Sequence, residues 1–266
     1  MGDDRSRPGE KTPRGPRRRA ALAGGAFVVL LACAAAGVAL GHGHDRVQRP
    51  ATDRRSAAPV TGRTLRHAFA VGGRAQPPRV RVPYAAGGSY AIVPGAARPP
   101  RGGRGELVGY MVEVERGLPF RGVDFAAAVH RILNDPRGWG AGGRMRFART
   151  DHGPVRFVVS LSSPALSATR CLPLNTGGQL SCWHSPRAII NAMRWGTGAA
   201  SYGDDLASYR EYLISHEVGH ALGHGHEPCP GPGWPAPVMM QQTKSLDGCA
   251  RNPWPNPGAA PASADR

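Results

Sequence analysis

Residues His216 to His226 read His-Glu-Val-Gly-His-Ala-Leu-Gly-His-Gly-His, and no other stretch restricts the fold so closely. On a helix, His216 and His220 stand on one face a turn apart, so two imidazoles can converge on one ion. Glu217 lies about 100° further round. It is too far round to share that ion with both histidines, but it leans over the ion's open side. His226, six residues beyond His220, reaches the same ion only if the helix stops and the chain doubles back. Gly223, free to take a positive φ, supplies that stop. His224 is the competing third ligand, and it would require the helix to run on through Gly223, against the termination signal. A chain of this composition produces the five fixed positions by chance roughly once in twenty thousand. A fortuitous histidine-rich tract, which binds metals without defined geometry, therefore explains the spacing poorly.

Three neutral imidazoles with one position left over are the donor set of a catalytic Zn2+ site, since a structural site is closed by a fourth protein ligand. One ion is expected, held by His216, His220 and His226. Such an ion lowers the pKa of a water from roughly 15.7 towards about 7 and polarises a carbonyl. Glu217 is then expected to take the water proton and deliver it to a leaving amine, serving as base and acid in turn. A zinc-stabilised extracellular binding module without turnover would use the same histidines but has no need of Glu217. A second alternative, an adaptor for acidic cell-wall polymers, would rely on the arginine-rich segment instead.

The ligand run, followed by Pro235-Ala236-Pro237-Val238-Met239-Met240, resembles the metzincin clan of zinc metallopeptidases, in which a tight turn beyond the ligands carries a methionine under the metal. Met239 is the expected turn methionine, with the adjacent Met240 as the alternative. More closely, the run from Ile214 through Cys229 to Cys249 is similar to membrane-anchored, metzincin-like domains of unknown function from actinobacteria, over roughly residues 80 to 256. The resemblance implies an α/β (α+β) zincin fold: a twisted, mostly parallel sheet with two main helices, an active-site helix, the methionine turn and a small C-terminal subdomain. It also implies a metalloendopeptidase acting on peptide or protein substrates. Astacin-like enzymes share the glutamate after the third histidine, here Glu227. They and the serralysins place a tyrosine two residues after the turn methionine, whereas this chain has Gln241 and Gln242, so a tyrosine-assisted step is not carried over.

The formal charge of +16 comes from 32 arginines and two lysines against 18 acidic residues, and its distribution decides what it means. Residues 1–19 hold seven basic and three acidic groups, 41–105 twelve and two, and 106–266 fifteen and thirteen. The excess lies outside the segment with the ligand motif, and no nucleic-acid-binding motif accompanies it, so no nucleic-acid partner is expected. Residues 20–40 contain no charge, and 21 residues at about 1.5 Å each span roughly the 30 Å hydrocarbon core. Arg17, Arg18 and Arg19 precede them, so the positive-inside rule keeps a basic tail, 1–19, in the cytoplasm and places the rest outside. The expectation is a single-pass signal-anchor in the cell membrane. The rivals are a signal peptide cleaved near Ala34 to Ala36 and, third, a lipoprotein box at Cys33. Residues 41–79, rich in Arg, Pro, Ala and Gly without apolar periodicity, read as a disordered linker. Residues 80–256 read as the peptidase domain and 257–266 as a disordered tail, with a monomer expected.

Within the domain, Tyr84 to Val93 reads as a loosely attached first strand, and Leu107 to Glu115 as a strand. Val123 to Asn134 reads as an amphipathic helix with Phe125, Val129, Ile132 and Leu133 inward, stopped by Asp135-Pro136. Strands are expected at 144–149, 155–161 and 187–195, the last after a hairpin bounded by cysteines, and Asp204 or Asp205 caps the motif helix. An exposed edge strand near Gly178 to Trp183 is the expected place for an antiparallel substrate. His130 and His184, with no second ligand at helical or hairpin spacing, read as packed or surface histidines. Four cysteines, Cys171, Cys182, Cys229 and Cys249, fall on the outer side, where disulfides persist. They permit three pairings. Loop economy favours Cys171 with Cys182 and Cys229 with Cys249, each worth about 3 kcal/mol in the chain-entropy model. A thiolate zinc site is disfavoured because no C-x-x-C spacing occurs.

Overall fold

The computed structural model describes residues 69–101 and 104–258. The chain begins with a two-residue hairpin, β1 (Ala70–Val71) and β2 (Arg74–Ala75), turned by Gly72 and Gly73 at positive φ. Then follow β3 (Tyr90–Ile92), β4 (Glu106–Glu115), α1 (Gly122–Leu133), β5 (Met145–Arg149) and β6 (Phe157–Ser162). After them come α2 (Pro164–Arg170), β7 (Cys182–His184), β8 (Arg187–Asn191), α3 (Ala192–Thr197) and α4 (Leu206–Ala221). The result is an α+β fold with a mixed, mostly parallel sheet. Its order is β3-β4-β6-β8-β7, with β5 also paired to β4. β5 is parallel to the first half of β4, and β3 is antiparallel to the second half. β4–β6 and β6–β8 are parallel, and the edge strand β7 returns antiparallel to β8.

β4 alternates: Val108, Tyr110, Val112 and Val114 are all buried in the main core with Phe125, Val129, Ile132 and Leu133 of α1. The inward face of α1 is therefore the one its apolar spacing predicts. On the other face of β4, two carboxylates at its C-terminal end, Glu113 and Glu115, are buried and hydrogen-bonded. Glu113 accepts from Ser160 Oγ at 2.6 Å and Arg187 Nε at 2.8 Å, and Glu115 accepts the backbone N–H groups of Gly88 and Ser163. α1 ends where Asn134 exchanges hydrogen bonds with the backbone of Phe147 at 3.1 Å in both directions, tying the helix to β5.

Three expectations need correction. The strand expected over 187–195 ends at Asn191, because the Asn191 side chain accepts from Met193 N at 3.0 Å and starts α3. A local cap outweighs the strand propensity of the residues beyond it. α2 has no counterpart among the expected elements; Ser163 caps it through Leu166 N and Pro164 sits in its first turn. The linker expected over 41–79 lies outside the described residues as far as 68, but its remainder, 69–79, is bound to the domain. Arg74 makes a two-pronged ion pair with the buried Glu211, and Gln76 accepts from Ala207 N and donates to Asp205 Oδ1. These attachments are polar, so hydrophobic periodicity does not reveal them. The tail expected at 257–266 and the anchor expected at 20–40 lie, respectively, mostly and wholly outside the described residues. No helix among the described residues is long and apolar enough to cross a membrane.

α4 is buried on nearly every side, from Leu206 and Tyr209 to Val218 and Gly219. Asp205, one of the two expected caps, accepts from Ser208 N at 3.1 Å. Beyond α4 the chain to 258 contains no helix or strand. It is held instead by the Cys229–Cys249 disulfide, by backbone pairing of Trp234 and Ala236 with Ala250, and by Asn252, whose Nδ2 donates to Ala236 O and Trp254 O. Cys171–Cys182 is the second disulfide, joining the end of α2 to β7. Both are the local pairings that loop economy favours.

Candidate metal centre

The helix that carries His216 and His220 stops at Gly223, as the motif requires. Gly223 has φ 98°, its N–H donates to His220 O, and His224 N–H donates to Gly219 O, both at 3.0 Å. This pair of backward bonds satisfies the last helical carbonyls and reverses the chain. The reversal brings His226 back: one ring nitrogen from each of His216, His220 and His226 lies within 4.8 Å of the others. His220 Nε2 and His226 Nε2 are 3.1 Å apart, near the roughly 3.3 Å that separates two nitrogens on a tetrahedral zinc.

The tautomers are set by the hydrogen-bond partners. His216 Nδ1 faces Val238 O at 2.8 Å and His220 Nδ1 faces His224 O at 2.8 Å. A carbonyl only accepts, so in each neutral ring the proton sits on Nδ1 and Nε2 presents a lone pair. Burial, the leading cause, pushes the pKa of His216 down to about 3 and lowers those of His220 and His226. All three are thus in the neutral, metal-binding form at ordinary pH. The donor set fits a zinc ion with an open fourth position. His224, the competing ligand, instead stacks on Trp139 with ring centroids 4.2 Å apart and stands outside the metal-ligand cluster.

Glu217 is adjacent to this cluster and buried, and burial alone raises its pKa to about 8. Among the described residues no side chain forms an ion pair with it. A cation held by the adjacent histidines would favour the ionised form of this carboxyl, which is a second point of fit with a metal.

Met239, not Met240, packs against the helix that carries His216 and His220. Met239 is wholly buried in the main core beside α4, whereas Met240 joins a separate cluster with Ala236 and Cys249. A Cβ built on Gly219 would meet Met239 Sδ at 2.3 Å and Trp139 Cζ2 at 2.7 Å. Gly219, between the first two ligands, is therefore needed for close approach, a role that its variable position in the motif does not suggest. Trp139 also donates from Nε1 to Ser215 O at 2.9 Å. Three tyrosines hold the segment after Met239. Tyr212 donates to Met240 O at 3.0 Å, Tyr202 to Gln242 Oε1 at 2.8 Å, and Tyr209 pairs with Thr243 Oγ1 at 3.0 Å. The spacing Tyr209, Tyr212, His216 on one helix face is the signal in the sequence for this support.

The triad opens into a cleft of about 270 Å³. Leu180 to Trp183 line it, so the free edge of β7 meets the expected location of the exposed strand. Gln241, Thr243 and Lys244 also line it. His130 is a packed histidine, bonded to Tyr110 Oη at 2.9 Å and Arg98 O at 3.0 Å, and His184 sits at the exposed end of β7.

Residues 76–257 match a family model described as a protein of unknown function, DUF3152. No curated protein matches the chain. No solved structure matches it either.

Proposed function

We propose that this chain, which belongs to the DUF3152 family of proteins of unknown function, is a zinc-dependent endopeptidase of metzincin type, held outside the cell by the apolar segment 20–40. One observation carries the proposal. Three neutral imidazoles converge at a cleft that is lined also by a buried carboxylate and by the edge of a sheet. When bound, a zinc ion supplies Lewis acidity toward a carbonyl and a water. His216, His220 and His226 hold it, and the Val238 and His224 carbonyls fix the orientation of the first two rings. Glu217 is the acidic residue lining the cleft among the described residues. Proton movement from the attacking water to the leaving amine therefore falls to its carboxylate. A peptide in extended form adds to the open edge of β7 through backbone hydrogen bonds, with Leu180 and Trp183 as apolar contacts. Gln241, at the position where better-known relatives carry a tyrosine, lines the same cleft and presents an amide there. The two disulfides suit an oxidising exterior.

The test is hydrolysis of an unbiased peptide library by the full-length chain, read by mass spectrometry, with bound metal quantified. Cleavage that is lost to a chelator and restored by zinc supports the proposal. Stoichiometric zinc without cleavage of any library member would replace it with the binding-module alternative.

A further inference from the structure

We infer that the cleft selects peptides carrying a carboxylate, which Lys244 receives; the inference rests on the reading of this cleft as a peptide site. Of 34 basic residues, 32 are arginine. The one lysine among the described residues lines the cleft. Its backbone is not loose. Gln242, fully buried, donates to Pro237 O and Asn252 O and accepts from Tyr202 Oη and Asn252 N. Thr243 is tied to Tyr209, and the N–H of Lys244 closes on Gln241 O at 2.9 Å. The core thus sets where Lys244 emerges, while its side chain stays exposed.

Lys244 Nζ has a neutral partner, Gln241 Oε1 at 3.2 Å, and no ion pair with a carboxylate among the described residues. It lines the same cleft as His226. The other ionisable groups on the cleft wall are the three histidines and the buried Tyr212 and Glu217, none of which forms an ion pair with Lys244. An ammonium without a carboxylate partner among the described residues therefore stands on the wall of the cleft that holds the three imidazoles. A substrate carboxylate supplies its partner through a charge-assisted hydrogen bond, while a basic side chain at the same place meets repulsion. An Asp or Glu side chain and a free C-terminus offer the same chemistry.

Full-length, zinc-loaded Glu217→Gln protein allows binding to be read without turnover. Fluorescein-labelled, alanine-rich peptides with an amidated C-terminus carry Glu, Gln or Lys at each position in turn, and a parallel Gln set has a free C-terminus. Anisotropy should show Glu at one position, or the free C-terminus, binding about three- to tenfold tighter than the neutral amidated peptide. The arm that gains identifies the source of the carboxylate. Adding Lys244→Gln should bring the carboxylate peptide down to the affinity of the neutral amidated peptide while zinc content stays the same, and Lys244→Glu should turn the preference towards Lys. Absence of any carboxylate preference, or a preference that survives Lys244→Gln, overturns the inference. If wild-type protein hydrolyses the library without charge preference, the inference alone fails. If no peptide binds or is cleaved, both it and the peptidase proposal fail.

Discussion

Replacing Glu217 by Gln should make the metal-free protein more stable as pH rises, in spite of removing the residue proposed to do the chemistry. Burial raises the Glu217 pKa from the ordinary 4.5 to about 8, so between those values the unfolded chain releases a proton that the folded chain retains. The wild type therefore carries no penalty below about pH 4.5, a growing one up to about pH 8, and a constant one above. At about 1.4 kcal/mol per pH unit, the cost is about 3 kcal/mol at pH 7 and under about 1 kcal/mol at pH 5. Gln has nearly the same volume and no titration. The difference in stability between variant and wild type should thus shift by about 2 kcal/mol in the variant's favour from pH 5 to pH 7. His216, pushed down to about 3, costs stability as pH falls below its ordinary 6.5, but it does so in both proteins and cancels. Urea unfolding of both chelator-treated proteins at pH 5, 6 and 7, disulfides intact, measures the shift. Parallel pH profiles would refute the burial of an uncompensated carboxylate beside the ligands. Zinc should compress the difference, because the cation stabilises the ionised form.

In the zinc-loaded protein, Glu217→Gln should keep its metal while turnover falls by about 10² to 10⁴, whereas His220→Ala should lose both; paired metal analysis and peptide kinetics separate the two outcomes. Arg74→Ala leaves the buried Glu211 with only the more distant Arg131, at 3.5 Å, and should cost about 2 kcal/mol, discounted for the exposure of Arg74. A fragment starting at residue 80 should show at least the same loss by thermal melting, and equal stability would mean that the β1–β2 hairpin is not bound. Gly219→Ala drives a methyl into Met239 and Trp139 and should lower stability by about 1–3 kcal/mol. The flexible end of Met239 can yield but the Trp139 ring cannot, so adding Trp139→Phe should recover part of the loss in a denaturant melt.

The candidate metal ligands are legible in the sequence because their geometry is local. His216, Glu217, His220, Gly223 and His226 fall within one helical segment and its reversal, where 3.6-residue periodicity and the stereochemistry of one glycine decide position. The apolar face of α1, the strands β4, β5 and β6, and the short-loop disulfides are local in the same sense. Apart from the His224 carbonyl that orients His220, what holds those residues in place depends on contacts across long separations, which only the folded chain makes. Packing chose Met239 over Met240, because only Met239 meets the bare helix surface at Gly219. His224 found its packing partner, Trp139, outside the triad. Three tyrosines and Gln242 locked the segment that brings Lys244 to the cleft. The β1–β2 hairpin joined the domain through Arg74 and Gln76, more than a hundred residues from their partners on α4. Such polar, long-range bonds leave no periodic trace in a sequence; their partners become neighbours only after the sheet and α4 have closed the core.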